Sequence, residues 1–293
     1  MDYDADGDLD ILSGSYTGEI YLFERGEDNA FSQGVPIRSE DGELIEVSMS
    51  VTPEAIDMDA DGDLDLVVGT RMAGVFVIEN SGTRAAPRWS SEKTLLETVG
   101  GEKIKGSNAH HADWDGDGVR DLIVGSEYGQ VLWYRNVGKN DAPRYKLGGE
   151  LLPKPEFDTP EEGTVPARSD GRVKLHVTDW NGDGLADLLA GDVAWQYELS
   201  VPLTPAEEKE KAALEPGYQE ILSLVGASSE KLQKFRAAGQ VVPADFQSMR
   251  DKLISEMSAY GRKMQKFDRN KESKTHGWVW LYLRKAVGSA KKD

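Results

Sequence analysis

A nine-residue, aspartate-rich segment occurs four times in the 293-residue chain, and this repeat constrains the fold more than any other feature. Its pattern is Asp-x-Asp-x-Asp-Gly-x-x-Asp, with Asn181 at the third position of the last copy. The copies begin at Asp2, Asp57, Asp113 and Asp179, so successive copies are 55, 56 and 66 residues apart. Self-similarity at such a period predicts an array of similar supersecondary units.

Short strand patterns surround each loop. The loop runs into an apolar segment that ends in glycine, and a second strand pattern usually follows after a turn. The glycines are Gly14, Gly69, Gly125 and Gly191, and the second strands are predicted at 19–23, 75–78 and 130–134. Another strand is predicted to end before copies two to four, at Ile56, Ala112 and Thr178, and segments such as 88–90 can supply a fourth. Four short antiparallel strands per unit fit one blade of a β-propeller.

The loops have the composition of a calcium site. Calcium takes six to eight oxygen ligands, so a short, sharply turned segment must bring several carboxylates together. The first, third, fifth and ninth positions are predicted to supply side chains, and the seventh position a carbonyl. The side-chain ligands are Asp2, Asp4, Asp6 and Asp10; Asp57, Asp59, Asp61 and Asp65; Asp113, Asp115, Asp117 and Asp121; and Asp179, Asn181, Asp183 and Asp187. The carbonyls come from Asp8, Asp63, Val119 and Leu185. The sequence thus predicts up to four calcium ions.

The loops have two other interpretations, a solvated acidic turn and an EF-hand. A single copy could be a solvated acidic turn, but four copies in register argue against that explanation. An EF-hand places its closing acidic residue at the twelfth position, between two helices. Here the closing aspartate comes at the ninth position and leads into a strand pattern such as Leu66–Gly69. The large residue at the second position (Tyr3, Met58, Trp114, Trp180) is predicted to pack between blades.

These residues resemble the FG-GAP or VCBS repeats, a calcium-binding propeller family. Such repeats occur in integrin-type propellers and in many exported bacterial proteins. The resemblance covers roughly residues 1–200 and 276–288, and its most specific element is the loop followed by Leu-hydrophobic-hydrophobic-Gly. It implies that each loop joins the first and second strands of a blade and that the metal ties them together. The four sites would then be structural before they are functional.

Two phrases, at 12–23 and 278–285, look like those of uncharacterised repeat proteins from planctomycete-like bacteria. This narrower resemblance implies export, to an extracellular, periplasmic or cell-surface location, and no established activity. The first loop begins at Asp2 with no strand ahead of it. We therefore expect an all-β, N-terminally truncated β-propeller with four visible blades.

A helical insertion is predicted inside the fourth blade. Thr204 and Glu207 have the spacing of a capping box, with proline at the first helical position. A break or kink is predicted at 216–217, a second helix capped by 228–229, and a turn marked by Gly239 and Pro243 before a third helix. The predicted domains are propeller blades over 1–203, the helical insertion over 204–271, and a closing strand and tail over 272–293.

The third predicted helix carries an apolar stripe with spacings of three and four. Its members are Phe246, Met249, Leu253, Met257, Tyr260, Met264 and Phe267. The stripe has two interpretations: packing between the insertion's own helices, or a groove that contacts a protein partner.

Charge and composition exclude several classes of function. The net charge of −18 argues against a nucleic-acid partner, because phosphate binding needs clustered Lys and Arg. Seventeen aspartates lie in the four loops, so the loops account for nearly the whole acidic excess. No run approaches the ~18 apolar residues of a membrane span, and the absence of cysteine excludes thiolate metal sites.

One further position repeats. Three residues before the first loop aspartate lie Glu54, His110 and His176 in copies two, three and four. On the innermost strand of successive blades these side chains would line the axial channel, where they could bind a transition metal or act as acid and base. His111 is predicted to point to the other face. The alternative is that these are polar residues of a water-filled channel or histidines bonded to neighbouring backbone.

The sequence leaves two functional readings. The first is a non-catalytic, exported scaffold or binding module for protein or polysaccharide at the cell surface, with the helical insertion as a possible protein contact. The second is an enzyme, a polysaccharide lyase or a metal-dependent hydrolase or oxidoreductase, with its site at the axial channel. Propellers host such sites, so the second reading rests partly on analogy.

Overall fold

The computed structural model describes residues 1–156, 159–199, 201–237, 240–268 and 271–285. The chain divides into two compact units. The first, here called the β unit, comprises Met1–Thr159, Thr164–Trp195 and Thr275–Asp293. The second, the helical unit, comprises Pro160–Gly163 and Gln196–Lys274. The chain passes from the β unit to the helical unit after Trp195 and returns to the β unit at Thr275. The two boundaries predicted from the sequence lie at 203/204 and 271/272. The predicted turn residue Gly239 and the tail residues 286–293 lie outside the described residues.

Four antiparallel sheets form, one for each aspartate-rich loop. The first sheet contains β1 (Ile11–Gly14), β2 (Ile20–Phe23) and β3 (Val35–Pro36) in that order. The second contains β4 (Thr52–Ile56), β5 (Asp65–Gly69), β6 (Val75–Ile78) and β7 (Thr94–Leu95). The third contains β8 (Asn108–Ala112), β9 (Asp121–Gly125), β10 (Val131–Asn136) and β11 (Tyr145–Leu152). In each sheet the strands are neighbours in chain order, as the alternation of short strands and turns predicted.

The fourth sheet contains one long strand, and a helical segment lies between its second and third strands in the sequence. Its strands are β12 (Gly171–Thr178), β13 (Asp187–Leu199), β14 (Lys271–His276) and β15 (Val279–Tyr282), and β15 pairs with the beginning of β13. Leu188 lies opposite Tyr282, as Leu66 lies opposite Ile78 in the second sheet. Strand β15 therefore occupies the position that β6 and β10 occupy in their sheets.

Consecutive sheets of the β unit pack face to face, which explains why β5 and β9 are buried along their whole length. Successive side chains of a strand point to opposite faces of its sheet. Leu66 and Val68 pack with Ile20 of the first sheet, whereas Val67 packs with Leu122 of the third. On β9 the same alternation sends Ile123 into a cluster with the fourth sheet.

The glycine at the end of each of the first three loop strands allows the next chain segment of the neighbouring sheet to approach. A Cβ added at Gly69 would lie 2.9 Å from the backbone of Asn108, and one at Gly125 would lie 2.8 Å from the carbonyl of Val173. Real Cβ atoms do not come that close to backbone atoms, so any larger residue would push the sheets apart. The Leu-hydrophobic-hydrophobic-Gly pattern is thus a packing requirement between neighbouring sheets.

Two predictions about the sheets were wrong. Residues 88–90 do not supply the fourth strand of the second sheet. Trp89 makes only isolated bridges, to Ser39 and Asn80, because its buried side chain packs into the core between the first two sheets. Trp180 was predicted to pack between blades, but its side chain is 60% exposed. The equivalent Trp114 packs against the fourth sheet, and no sheet follows the fourth within the described residues.

In the part of the helical unit that the structure describes there are two α-helices, where three were predicted. They are α1 (Pro205–Ala237) and α2 (Ala244–Met264), followed by a 3₁₀ turn at Gln265–Phe267. The capping box at the start of α1 is confirmed, since the backbone amide of Thr204 donates to the Glu207 carboxylate and the Thr204 hydroxyl accepts from the amide of Glu207. Helix α1 then continues through Pro216.

The predicted second helix start was wrong because both serines bond backwards. The hydroxyls of Ser228 and Ser229 donate to the carbonyl of Val225, at 2.8 and 3.0 Å, inside one continuous helix. Gly217 has a packing role, since a Cβ there would meet the hydroxyl of Tyr260 at 2.5 Å. The proline-glycine pair therefore lies where the two helices approach closely.

The apolar stripe of α2 packs against α1. The rings of Phe235 and Phe246 lie 5.5 Å apart, and those of Tyr218 and Tyr260 lie 6.4 Å apart. Phe246 and Met264 are buried, as is Phe267 in the following 3₁₀ turn. These contacts support the interpretation of the stripe as packing between the insertion's own helices.

Candidate functional site

Each aspartate-rich loop contains two residues with positive φ, which turn the chain sharply. At the fourth position φ is 62° for Ala5, 63° for Ala60, 79° for Gly116 and 74° for Gly182. The sixth position is glycine in every loop, also with positive φ. This conformation is the left-handed region, which glycine adopts easily and alanine at a cost. The turn curls the backbone so that alternate side chains converge.

Carboxylates converge in the first three loops. In each of three sets, one oxygen per residue lies within 4.8 Å of the others, a spacing that a cation with ~2.3–2.6 Å bonds to oxygen can bridge. The sets are Asp2, Asp4 and Asp10; Asp57, Asp59 and Asp61; and Asp113, Asp115 and Asp117. Three of the four predicted side-chain ligands therefore lie together in each of these loops, whereas Asp6, Asp65 and Asp121 lie outside the sets.

Several of the loop oxygens are buried and have no hydrogen-bond donor. They are the Oδ1 atoms of Asp2, Asp8, Asp57, Asp63 and Asp115. A buried carboxylate oxygen without a partner costs free energy, because it has lost its water and gained nothing in return. Oxygens of this kind, crowded among other carboxylates, fit a hard divalent cation such as Ca²⁺, which would provide the missing partner.

The seventh position contributes more than sequence reasoning assigned to it. Asp8 and Asp63 were predicted to offer only their carbonyls, yet an oxygen of each side chain is buried without a donor. Burial and the negative charges of the neighbouring loop aspartates raise the pKa of Asp63 to about 6, and the pKa of Asp8 is raised for the same reasons. A further carboxylate, that of Asp8 or Asp63, therefore lies among the predicted ligands of loops one and two.

The third and fourth loops differ from the first two. Val119 and Leu185 replace the seventh aspartate, and the first aspartate bonds to the loop's own backbone. Asp113 accepts three backbone N–H groups at 2.8–3.0 Å, and Asp179 does the same. Arg135 also pairs with Asp115 at 2.7 Å and with Asp117 at 2.8 Å, which lowers the pKa of Asp117. Backbone hydrogen bonds within both loops, and Arg135 in the third loop, thus compensate part of the negative charge of the loop carboxylates.

The closing aspartate of each loop fastens the loop to the end of the following strand. Asp65 accepts the backbone N–H of Met58 at 3.1 Å through one oxygen and that of Asn80 at 2.9 Å through the other. Asp10 has the equivalent donors, the backbone N–H groups of Tyr3 and Arg25, and Asp187 has those of Trp180 and Arg284. Asp121 accepts the backbone N–H of Asn136 and, in place of a loop amide, the indole N–H of Trp133. These bonds hold the loops in shape without a metal, and leave a second lone pair on each oxygen for one.

Arginines reach the start of three loops, which sequence reasoning did not find. Arg84 donates to the carbonyl of Asp2 at 2.8 and 3.1 Å, and Arg120 donates to that of Asp57 at 2.6 Å. Arg284 donates to the carbonyl of Trp114 and lies over its ring. The three arginines occupy unrelated positions in their repeats, so no periodic signal marks them.

The inner strands bring Glu54, His110 and His111 together. Nδ1 of His110 lies 3.0 Å from one oxygen of Glu54, and Nδ1 of His111 lies 2.7 Å from the other. The backbone N–H of His111 also donates to this carboxylate. Burial raises the pKa of Glu54, but the bonds from the two histidines outweigh it and lower the pKa to about 2. His176 lies beside His110, with ring centroids 5.2 Å apart.

His111 was predicted to point away from this cluster, but it shares the carboxylate of Glu54. Its other ring nitrogen lies 2.9 Å from the hydroxyl of Tyr145, and its side chain is only 2% exposed. Burial and the charge of Glu54 raise the pKa of Tyr145, so its hydroxyl stays protonated and donates to His111. The Glu54–His111–Tyr145 chain therefore ties the second sheet to the third.

Comparison with known proteins identifies the family. A family model described as an FG-GAP-like repeat matches residues 2–90 and 113–190, which is more than half of the chain. The chain belongs to the FG-GAP-like repeat family, whose repeats are commonly binding or scaffold modules. No curated protein matches the chain significantly. In the described residues, no helix has the length and apolar character needed to cross a bilayer.

Proposed function

We propose that this chain is a calcium-stabilised, exported β-propeller module that binds a protein or polysaccharide at the cell surface and has no catalytic role. The observation that carries the calcium assignment is the set of buried carboxylate oxygens without donors, at equivalent positions of the first two loops. Calcium has the charge and oxygen preference to satisfy them. It would supply structural cross-linking at the loops and no chemical step.

Two observations support a propeller arrangement of the sheets. The face-to-face stacking of successive sheets is the packing that blades adopt around an axis. Lys174 on β12 donates to Thr52 on β4 at 2.5 Å and to the carbonyl of Ser107 at 3.0 Å. A side chain of the fourth sheet therefore reaches the second, which fits inner strands that converge.

The binding role is supported by the family and by the low pKa of Glu54, a candidate catalytic residue. Repeats of this family generally mediate protein binding. A carboxylate with a pKa of about 2, such as Glu54, is a weak base at neutral pH, which disfavours Glu54 as a general base.

The calcium assignment is tested by metal analysis and melting. We expect the purified chain to contain calcium and its melting temperature to fall when a chelator removes the metal, because a ligand bound only to the native state stabilises it by mass action. Replacing Asp61 by alanine should weaken one site and leave the others filled. An unchanged melting temperature, once the metal is shown to be gone, would contradict the proposed role of the loops.

The binding role is tested with calcium-loaded, labelled chain on cell-envelope fractions. We expect retention that depends on calcium and is removed by pretreating the fractions with either a protease or a glycosidase, which distinguishes the two ligand classes. Equal retention of calcium-loaded and chelated chain would contradict the proposal.

A further inference from the structure

His110 and His176 form a pair of imidazoles on two neighbouring inner strands. His110 lies on β8 and His176 on β12, each three residues before its loop. Their ring centroids are 5.2 Å apart and the ring planes are inclined by 50°. The side chain of His110 is 21% exposed and His176 is exposed, so a dissolved ion can reach both rings.

Glu54 determines which nitrogen of His110 is available. An ionised carboxylate only accepts hydrogen bonds, so Nδ1 of His110, which lies 3.0 Å from it, must carry the proton. In the neutral ring Nε2 then presents its lone pair. A carboxylate in this position is the usual partner that orients a metal-ligating histidine and increases its basicity.

His111 is unsuited to be a ligand although it contacts the same carboxylate. Its Nδ1 is held by Glu54 and its Nε2 by the hydroxyl of Tyr145. Both ring nitrogens are therefore occupied inside the core. The two histidines that share Glu54 thus differ, because His110 keeps one nitrogen for an external ligand.

The separation of the rings matches what a bridging ion requires. With metal–nitrogen bonds of ~2.0–2.1 Å, each ring centroid lies roughly 3 Å from the ion. At an approximately tetrahedral angle, two such rings lie about 5 Å apart. The observed 5.2 Å agrees with this value.

We propose that His110 and His176 form a two-imidazole site for a divalent transition-metal ion, such as Zn²⁺, Cu²⁺ or Ni²⁺, with Glu54 as the residue that positions His110. Glu54 is not itself a ligand. Among the described residues, Glu54, His110 and His176 do not bring three ligand atoms close enough together to share one ion. Imidazole suits these ions, whereas calcium prefers oxygen, so the site is chemically distinct from the loops.

The site is tested with Cu²⁺ added to the full chain in excess Ca²⁺, so that the loops are filled first. We expect one Cu²⁺ bound per chain by titration calorimetry, with two imidazole nitrogens in its electron paramagnetic resonance spectrum. His176→Ala should remove this binding and should fold normally, because His176 is exposed. His276→Gln is the matched control and should bind Cu²⁺ as the wild type does.

The role of Glu54 has its own measurement. Glu54→Gln should weaken Cu²⁺ binding by about 10- to 100-fold, the usual effect of losing such a partner. In ¹⁵N spectra of the metal-free protein, His110 should change from the Nδ1–H tautomer to a mixture, which a purely structural role of Glu54 would not produce. The proposal is overturned if His176→Ala binds Cu²⁺ like the wild type, if excess Ca²⁺ displaces the Cu²⁺, or if the tautomer is unchanged in Glu54→Gln.

Discussion

The backbone N–H of Asp192 donates to the carbonyl of Trp278 at 3.0 Å, although 86 residues separate the two. The N–H of Trp278 returns a bond to the Asp192 carboxylate at 3.0 Å. Thr70 and Gly74 make the same pair of bonds four residues apart, at 3.0 and 2.9 Å. The fourth sheet therefore closes its hairpin as the second sheet does, although a far longer segment of the chain separates its two residues.

We expect the helical unit to be dispensable for the β unit. Joining Trp195 to Thr275 through a short Gly-Ser linker should leave a folded β protein that still binds calcium, because the hairpin bonds of Asp192 lie in the part retained. Circular dichroism and metal analysis would check this. An insoluble product, or one without bound calcium, would show that the helices complete the core.

The crowding around Asp63 predicts how calcium-free protein responds to pH. Its pKa is raised from 3.8 to about 6 by burial and neighbouring carboxylates, so the folded state holds a proton that the unfolded state releases. Without calcium, stability should fall as pH rises from about 4 to about 6. Asp63→Asn should weaken this dependence, and it should also bind calcium more weakly.

Denaturation in urea with the metal removed, measured across this range, checks the prediction, with Asp41→Asn as an exposed control. Glu54, whose pKa is lowered to about 2, contributes stability that is lost as the pH falls below about 4.5, so the two effects overlap only at the lower end of this range. The same slope in Asp63→Asn as in the wild type would refute the assignment.

Arg135 should compete with calcium for the third loop. It pairs with Asp115 and Asp117, two predicted ligands. Arg135→Gln should raise the calcium affinity of this loop by about two- to fivefold, since exposed ion pairs contribute about 0.2–1 kcal/mol. Calorimetry on the variant measures this, with Arg88→Gln, which loses an exposed pair with Glu40, as control. Unchanged affinity would mean that Arg135 moves aside without cost.

The fourth loop position permits a reciprocal pair of substitutions. Ala60 has φ 63° and Gly116 has φ 79° at equivalent places. Ala60→Gly should stabilise the protein by up to about 1 kcal/mol, and Gly116→Ala should destabilise it by about 1 kcal/mol, because a Cβ strains the left-handed conformation. A Cβ at Gly116 meets nothing within 4 Å, so conformation alone is tested. Changes of equal sign in chemical denaturation would contradict the prediction.

Much of the fold could be predicted because it is local and periodic. The loop strands β5 and β9 follow directly from an aspartate, three apolar residues and a glycine, and the inner strands end where predicted, at Ile56 and Ala112. The helices were less predictable. Ser228 can cap a new helix or bond backwards within one, and residue type alone does not decide between them.

The sequence by itself determined the repeat, the strand order around each loop and the set of aspartates that could hold a metal, because these depend on residue type and short spacing. Tertiary structure alone decided which oxygens are left without donors, that Arg135 enters the third loop, and that Glu54 serves two histidines at once. Those relationships join residues far apart in the chain, and a side chain's burial, partner and pKa are fixed only when neighbouring sheets come together.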